Sequence, residues 1–235
     1  MEQAKGGSLL EAVALAVSGA VLGTAVGSPL GIAIPIGAVA AINGAISGWR
    51  GIYDWRCANG PVAFVLDSTW ATPMTLAALF SQAVAGLSKQ PGYDASLSRR
   101  ANRHVYQRGF MPRRGFAITL GNVLSGAGDT SLPHRQRLIT NHENVHVWQA
   151  RWFGPFFPVL YVGWMLLGVF VGVIVWLLRR RSDRLGKVIE SCSYYINPFE
   201  WWAYSRANNW PPGGKVKNLG WRRPVVLPFD GDPVQ

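Results

Sequence analysis

The sequence predicts a mainly helical membrane protein that carries a small β-hairpin. Three observations predict it. Of 235 residues, 49% are hydrophobic and only 15% charged, where soluble domains have about 25% charged. Two long runs, Ala12 to Trp49 and Phe156 to Leu178, contain no charged residue, and about 20 apolar residues suffice for one helical span. Between His104 and Val123 the pattern changes to short, turn-bounded segments of strand type. Disorder, collagen and coiled coil are excluded by the apolar content and the eleven tryptophans.

The net charge is +11, from 23 Lys and Arg against 12 Asp and Glu. The basic residues flank apolar runs, which suits anionic lipid headgroups, and no docking module for nucleic acid is recognisable. The expected partner is the lipid bilayer, and nucleic acid is not expected. Cys57 and Cys192 are far apart and form no C-x-x-C pair, so neither a disulfide framework nor a zinc ribbon is indicated.

The leader Met1 to Lys5 has no positive excess and the following apolar run exceeds a signal-peptide core, so the run is read as retained. Ala12 to Trp49 is about twice one span. Ser28-Pro29 breaks it, because proline lacks the donor a helix interior needs and disfavours helix at the residue before it. Residues 1–50 therefore read as a glycine-rich transmembrane hairpin of two short helical spans. Gly19, Gly23, Gly27 and Gly31 recur at every fourth position, as do Gly44 and Gly48. On a helix this lines one face with hydrogen atoms and lets another backbone approach, the small-xxx-small contact of membrane helices. The series resembles a glycine zipper, which implies a homo-oligomer through Gly19, Gly23, Gly27 and Gly31.

Residues 51–98 read as an interfacial linking region, in which Pro61 to Leu87, apolar but interrupted by Asp67, Ser68, Thr69 and Thr72, fits a membrane-adjacent helix or a packed core element, the interfacial reading being preferred. From Lys89 to Arg114, seven basic residues face one acid, Asp94, as in a solvated or headgroup-facing segment. His104 to Phe110 and Phe116 to Val123 are expected as the strands of the hairpin, joined by Met111-Pro-Arg-Arg-Gly115. Pro133 to Trp152 reads as helix, stopped by Gly154-Pro155. Phe156 to Leu178, ending in three arginines, is the most convincing span. Leu185 to Ala207 is mixed, and residues 211–235 form an irregular basic tail.

Chemistry is carried by His142-Glu143-Asn144-Val145-His146, an H-E-x-x-H pattern. At 100° per residue the two histidines lie about 40° apart on one helical face, so both imidazoles reach one metal ion. Glu143 sits beside them, where its carboxylate can hold and deprotonate a water that zinc has acidified. A catalytic zinc takes three protein ligands and keeps one position open. Asp183, Glu190 and Glu200 are candidates for the third.

At this point the sequence resembles the gluzincin metallopeptidases, in which a later helix supplies a glutamate within E-x-x-A or E-x-x-D; Glu200-Trp-Trp-Ala203 matches. The run His142-Glu-Asn-Val-His-Val-Trp-Gln149 is also similar to the H-E-x-x-H-x-W-Q of small bacterial zincin domains. The resemblance covers His104 to Ala207 at most, within a zincin-like domain 99–210 that contains the inserted helix 156–178. It implies Zn2+ bound by His142, His146 and Glu200, with Glu143 as general base and then acid. It also implies an edge strand at Phe116 to Val123 that pairs with extended substrate, and a Tyr or His at the oxyanion, for which Tyr194, Tyr195, Tyr204 and His104 are available. Protein or peptide is the implied substrate, and a bacterial cytoplasmic membrane the implied location.

The apolar run between His146 and Glu200 departs from that family. A helix of 23 residues is about 35 Å long, and the chain from Arg179 to Glu200 can return about 33 Å as helix. Twelve Lys and Arg between Trp49 and Gly154 and ten between Arg179 and Arg223 place both flanks on the cytoplasmic side by the positive-inside rule. A returning chain satisfies both. The expectation is thus a membrane-associated zinc metallopeptidase. The alternative is a non-enzymatic glycine-zipper membrane protein, oligomeric or pore-forming, with an inert or structural metal site.

Overall fold

The computed structural model describes residues 7–88, 92–111, 115–179 and 182–228. The leader, Lys89, the Pro-Arg-Arg part of the expected hairpin connection, Arg180, Arg181 and the end of the tail lie outside them. The chain divides into two compact units, Met1–Pro155 and Phe156–Gln235, and the expected 99–210 segment runs across that boundary. The protein is mainly helical with one small sheet.

In the first unit, α1 (Leu9–Gly27) is capped by the Ser8 hydroxyl, which accepts from the Glu11 amide. A 3-10 turn over Ser28–Leu30 and Gly31, at φ 70°, reverse the chain into α2 (Ala33–Arg50). The break thus falls at the expected proline. A Cβ on Gly19 would stand 2.7 Å from the Ala40 carbonyl oxygen, and one on Gly23 2.8 Å from that of Ile36. Only glycine lets the two backbones approach this closely. The glycine face expected to join copies of the chain is covered here by α2 of the same chain. The opposite face, with Val13, Val17 and Val21, is exposed. Leu9–Leu30 is long and apolar enough to cross a membrane. α2 is not among the helices that pass this test, and it buries Asn43 and Ser47.

Residues 61–87 do not run as one interfacial helix. They form the bulk of α3 (Asn59–Ser68) and α4 (Thr72–Gly86), which meet at 90°. Asp67 explains the bend inward: its carboxylate is buried in an ion pair with Arg151. A short α5 (Ala95–Ser98) is capped by Asp94, whose carboxylate accepts from Leu97. Burial pushes the Asp94 carboxyl up, but hydrogen bonds from Ser96, Thr130 and the backbone outweigh it and hold the group below its usual range.

The sheet has three strands, β1 (His104–Val105), β2 (Ile118–Leu120) and β3 (Val123–Ser125), in the order β1-β3-β2. The hairpin lies one strand further along than the sequence reading put it. β2 and β3 pair antiparallel, Leu120 opposite Val123, around Gly121-Asn122, whereas β1 lies parallel to β3. The signal was the Gly-Asn pair, read as strand interior. Gly121 takes φ 55°, which a glycine does without strain. Asn122 turns inward and donates to Asn43 and Asp67 at 3.0 and 3.1 Å.

After the sheet, α6 (Pro133–Arg137) runs through a π-helical turn over Leu138–Glu143 into α7 (Asn144–Phe153). α7 packs against α3 and β2. Ile139 and Val147 join Val105, Leu124 and Ala127 in one apolar core, while Trp148 packs on a second around Ile52, Tyr53 and Phe64.

The second unit begins with α8 (Phe156–Leu178), the other helix long and apolar enough to cross a membrane. α9 (Leu185–Glu190), a π-helical turn over Ser191–Tyr195 and α10 (Pro198–Arg206) follow. These elements retrace α8. Trp176 donates to the Asp183 carbonyl, Gly172 lies against Ile189, Trp164 donates to the Cys192 carbonyl, and Phe199 meets Phe157 edge-on and stacks on Tyr161. Gly168 and Gly172 provide the flat face this requires, because a Cβ at either would strike the returning backbone. The basic tail is pinned by the Trp201–Trp221 stack at 4.5 Å and by Val216, whose amide donates to Ser191.

Candidate metal centre

The H-E-x-x-H residues do not sit on a uniform α-helix. The π turn ends at Glu143, so His142 and Glu143 belong to it and His146 to α7. Such turns widen the helix by one residue and recur at functional sites. All three side chains are buried. The Nε2 atoms of His142 and His146 face one another at 3.3 Å, with the rings nearly perpendicular at 79°. Two nitrogens at about 2.0–2.1 Å from a tetrahedral zinc stand about 3.3–3.4 Å apart. The pair therefore has the spacing of two ligands of one ion.

His146 has a second polar partner on its other nitrogen: Nδ1 lies 2.7 Å from Oε1 of Gln149, and a proton donated from Nδ1 to that oxygen suits a neutral ring that binds through Nε2. Gln149 is itself buried, one turn along α7. Glu143 is held differently: Thr119 on β2 donates from Oγ1 to Oε2 at 2.7 Å. β2 is an edge strand of the sheet, but the strand that directly precedes this helix is the central β3; the expected strand Phe116 to Val123 is split by the turn at Gly121-Asn122. Neither Thr119 nor Gln149 was assigned a role from the sequence: Gln149 closes the H-E-x-x-H-x-W-Q run without a stated function, and a threonine in a strand carries no signal of its own.

Helix α7 is fixed from below by Arg151. Its Nε and Nη2 donate to Asp67 at 2.8 and 2.9 Å, and Nη2 also donates to the Asn102 carbonyl at 2.6 Å. Tyr53 donates to the same carboxylate at 2.9 Å, and burial raises the Tyr53 phenol well above its usual range. Arg103 donates to Asn144 at 2.6 Å. Burial, with Arg151 nearby, draws its guanidinium down to about 10, so it stays charged at neutral pH.

His104, a sequence candidate for oxyanion stabilisation, is not available for it. It is fully buried, with Ser47 at 3.1 Å and Tyr93 at 3.4 Å on its two nitrogens. Burial, then Arg50 and Arg151, pulls its pKa well below the usual imidazole range. It is a neutral member of the polar core.

In the second unit the three candidate carboxylates separate clearly. Asp183 pairs with Arg179 at 3.2 Å and Glu190 is exposed. Glu200 is buried in α10, 2% exposed, and accepts from the Tyr161 hydroxyl at 2.5 Å. Tyr161, near the start of α8, is a residue the apolar run concealed. Tyr194 is mostly buried, and burial followed by Glu200 raises its phenol strongly, while Tyr195 lies 6.1 Å from Tyr204, ring to ring. His142, His146 and Glu200 are thus all buried and are ligand types that could hold a metal ion. Compared with protein-family models, with curated proteins and with solved structures, the chain matches none.

Proposed function

We propose that the protein is a membrane-associated zinc-dependent peptidase in which His142, His146 and Glu200 are the metal ligands and Glu143 is the general base. The observation that carries this reading is the buried His142–His146 pair, Nε2 to Nε2 at 3.3 Å, with Gln149 on the other nitrogen of His146. The same contact is the length of a ring-to-ring hydrogen bond, and what favours a metal is its combination with two buried carboxylates, Glu143 and Glu200. Supporting Glu200 is the path of the second unit. The chain retraces α8 as far as Tyr161, five residues after Phe156, and α8 itself starts three residues after α7 ends.

A zinc ion held there supplies a Lewis acid for the scissile carbonyl and acidifies a water. Beside it, Glu143 would serve as the base that takes a proton from the attacking water and as the acid that returns it to the leaving amide nitrogen. Thr119 keeps the carboxylate aimed while it does so. The edge of β2 offers unpaired backbone groups for an extended peptide.

The test is zinc content and peptide hydrolysis of the detergent-purified protein. Wild type is expected to carry one zinc per chain, lost in His146→Ala and in Glu200→Ala. Glu143→Gln should keep the metal and lose hydrolysis. Zinc lost in His146→Ala but retained in Glu200→Ala removes the third ligand, and absence of zinc after reconstitution overturns the reading.

A further inference from the structure

The second unit contains a cavity of about 370 Å³ that the metal site does not use. Its walls are Trp164, Leu167 and Val171 of α8 on one side, and Cys192, Ile196 and Trp221 on the other. No charged side chain lines it, so a polar ligand would find nothing to replace its water. The volume lies at the small end of ordinary ligand cavities. Val171 is close to the middle of α8, which is long and apolar enough to cross a membrane. Trp221 lies toward the start of that helix, since it stacks on Trp201 of α10, next to the Glu200 that Tyr161 contacts. On α8 the cavity covers the middle of the helix, from Trp164 to Val171.

Exposed cations follow Trp221 directly in the chain. From Ala207 to Pro228 the chain carries Lys215, Lys217, Arg222 and Arg223 and no acid. Arg222 and Arg223 directly follow Trp221 and are exposed. Among the described residues no carboxylate pairs with their side chains. An apolar slot along α8 whose lining residue Trp221 is followed by two exposed arginines is complementary to an amphiphile with a hydrocarbon tail and an anionic head.

We infer that this cavity binds one acyl chain of an anionic phospholipid, whose phosphate is held by Arg222 and Arg223. The tail lies between Val171 and Ile196 and leaves past Trp221, and the headgroup sits at the interface beside the basic tail of the protein. The inference is independent of the metal and of any hydrolysis.

The experiment is native mass spectrometry of the full-length protein in neutral detergent, with phosphatidylglycerol or phosphatidylcholine of identical chains added. One phosphatidylglycerol per chain is expected, favoured over phosphatidylcholine by about fivefold for each arginine engaged. Val171→Trp and Leu167→Trp, which fill the cavity from two positions, should abolish retention of both lipids. Arg222→Gln with Arg223→Gln should equalise the two lipids. A readout on an intact cavity guards against misfolded variants: in Cys57→Ser protein, phosphatidylglycerol should slow N-ethylmaleimide labelling of Cys192. No retained lipid in wild type, equal retention of both lipids, or unchanged binding in both tryptophan variants overturns the proposal. So do lipid-free dimers cross-linked through α8, which would assign the cavity to a second copy.

Discussion

Arg151 and Asp67 form a two-pronged ion pair at 2.8 and 2.9 Å with both side chains almost wholly buried. The pair ties the helix that carries His146 to α3, across 84 residues of chain. Removing one partner leaves the other charge buried and unmatched, a loss of about 3–5 kcal/mol. Arg151→Met and Asp67→Asn should each lower the thermal midpoint sharply in a detergent melt. The double variant should recover part of the loss, and equal or additive losses would show that the pair is not coupled.

Thr119 should matter for turnover and not for metal content. Its hydrogen bond to the Glu143 carboxylate is of the charge-assisted kind, about 1.5–3 kcal/mol. Thr119→Val keeps the shape of the strand residue and removes the donor. Peptide hydrolysis should fall about 10- to 100-fold by that energy, while zinc per chain stays at the wild-type level. Loss of zinc in this variant would mean that Thr119 supports the fold of the site.

Gln149 predicts the converse. By accepting from Nδ1 of His146 it favours the tautomer that leaves Nε2 free, and loss of such outer partners costs about 10–100-fold in metal affinity. Gln149→Leu should weaken zinc binding by that factor in a chelator competition, with fully loaded enzyme nearly as active as wild type.

The buried His104 makes stability depend on pH. Its folded pKa lies well below the unfolded value of 6.5, so below about pH 6.5 the unfolded chain takes up a proton that the folded chain refuses. Stability contributed above that pH is lost as pH falls toward the folded pKa, by up to about 1.4 kcal/mol per pH unit. Unfolding midpoints measured from pH 7 to pH 5 should therefore drop more steeply in wild type than in His104→Gln. Parallel curves would show that another group carries the acid sensitivity.

Gly23 and Gly86 offer a matched contrast. A side chain at Gly23 meets the α2 backbone, whereas one at Gly86 meets nothing within 4 Å. Gly23→Leu should destabilise by several kcal/mol through overpacking, seen as increased proteolysis of the α1–α2 hairpin. Gly86→Ala, at a helix end, should be neutral or slightly stabilising. Equal sensitivity would contradict the close helix pairing.

Several features of this protein follow from the sequence alone because their causes are local. The reversal at Ser28-Pro29, the apolar length of α8 and the helix end at Gly154 depend on proline, on hydropathy and on glycine, each acting within a turn or two. The four-residue glycine spacing marks a close-packing face for the same reason, and the spacing of His142 and His146 allows two ligands for one ion. What covers the glycine face is not local: α2 of the same chain takes that place because the hairpin brings it there first.

The remaining features arise from contacts between distant segments, which no window of sequence contains. Asp67 reads as an interruption in an apolar stretch until Arg151 arrives to neutralise it. Asn122 reads as strand interior until Asn43 and Asp67 show that it forms a turn pointing into a polar core. His104 reads as a candidate catalyst until Ser47 and Tyr93 close over it. The π turn under His142, the grip of Gln149 and Thr119, and the return of the chain along α8 to Tyr161 were decided at the same level. A buried polar group must find its partner wherever the fold supplies one, and that requirement chooses among the arrangements that local propensity leaves open.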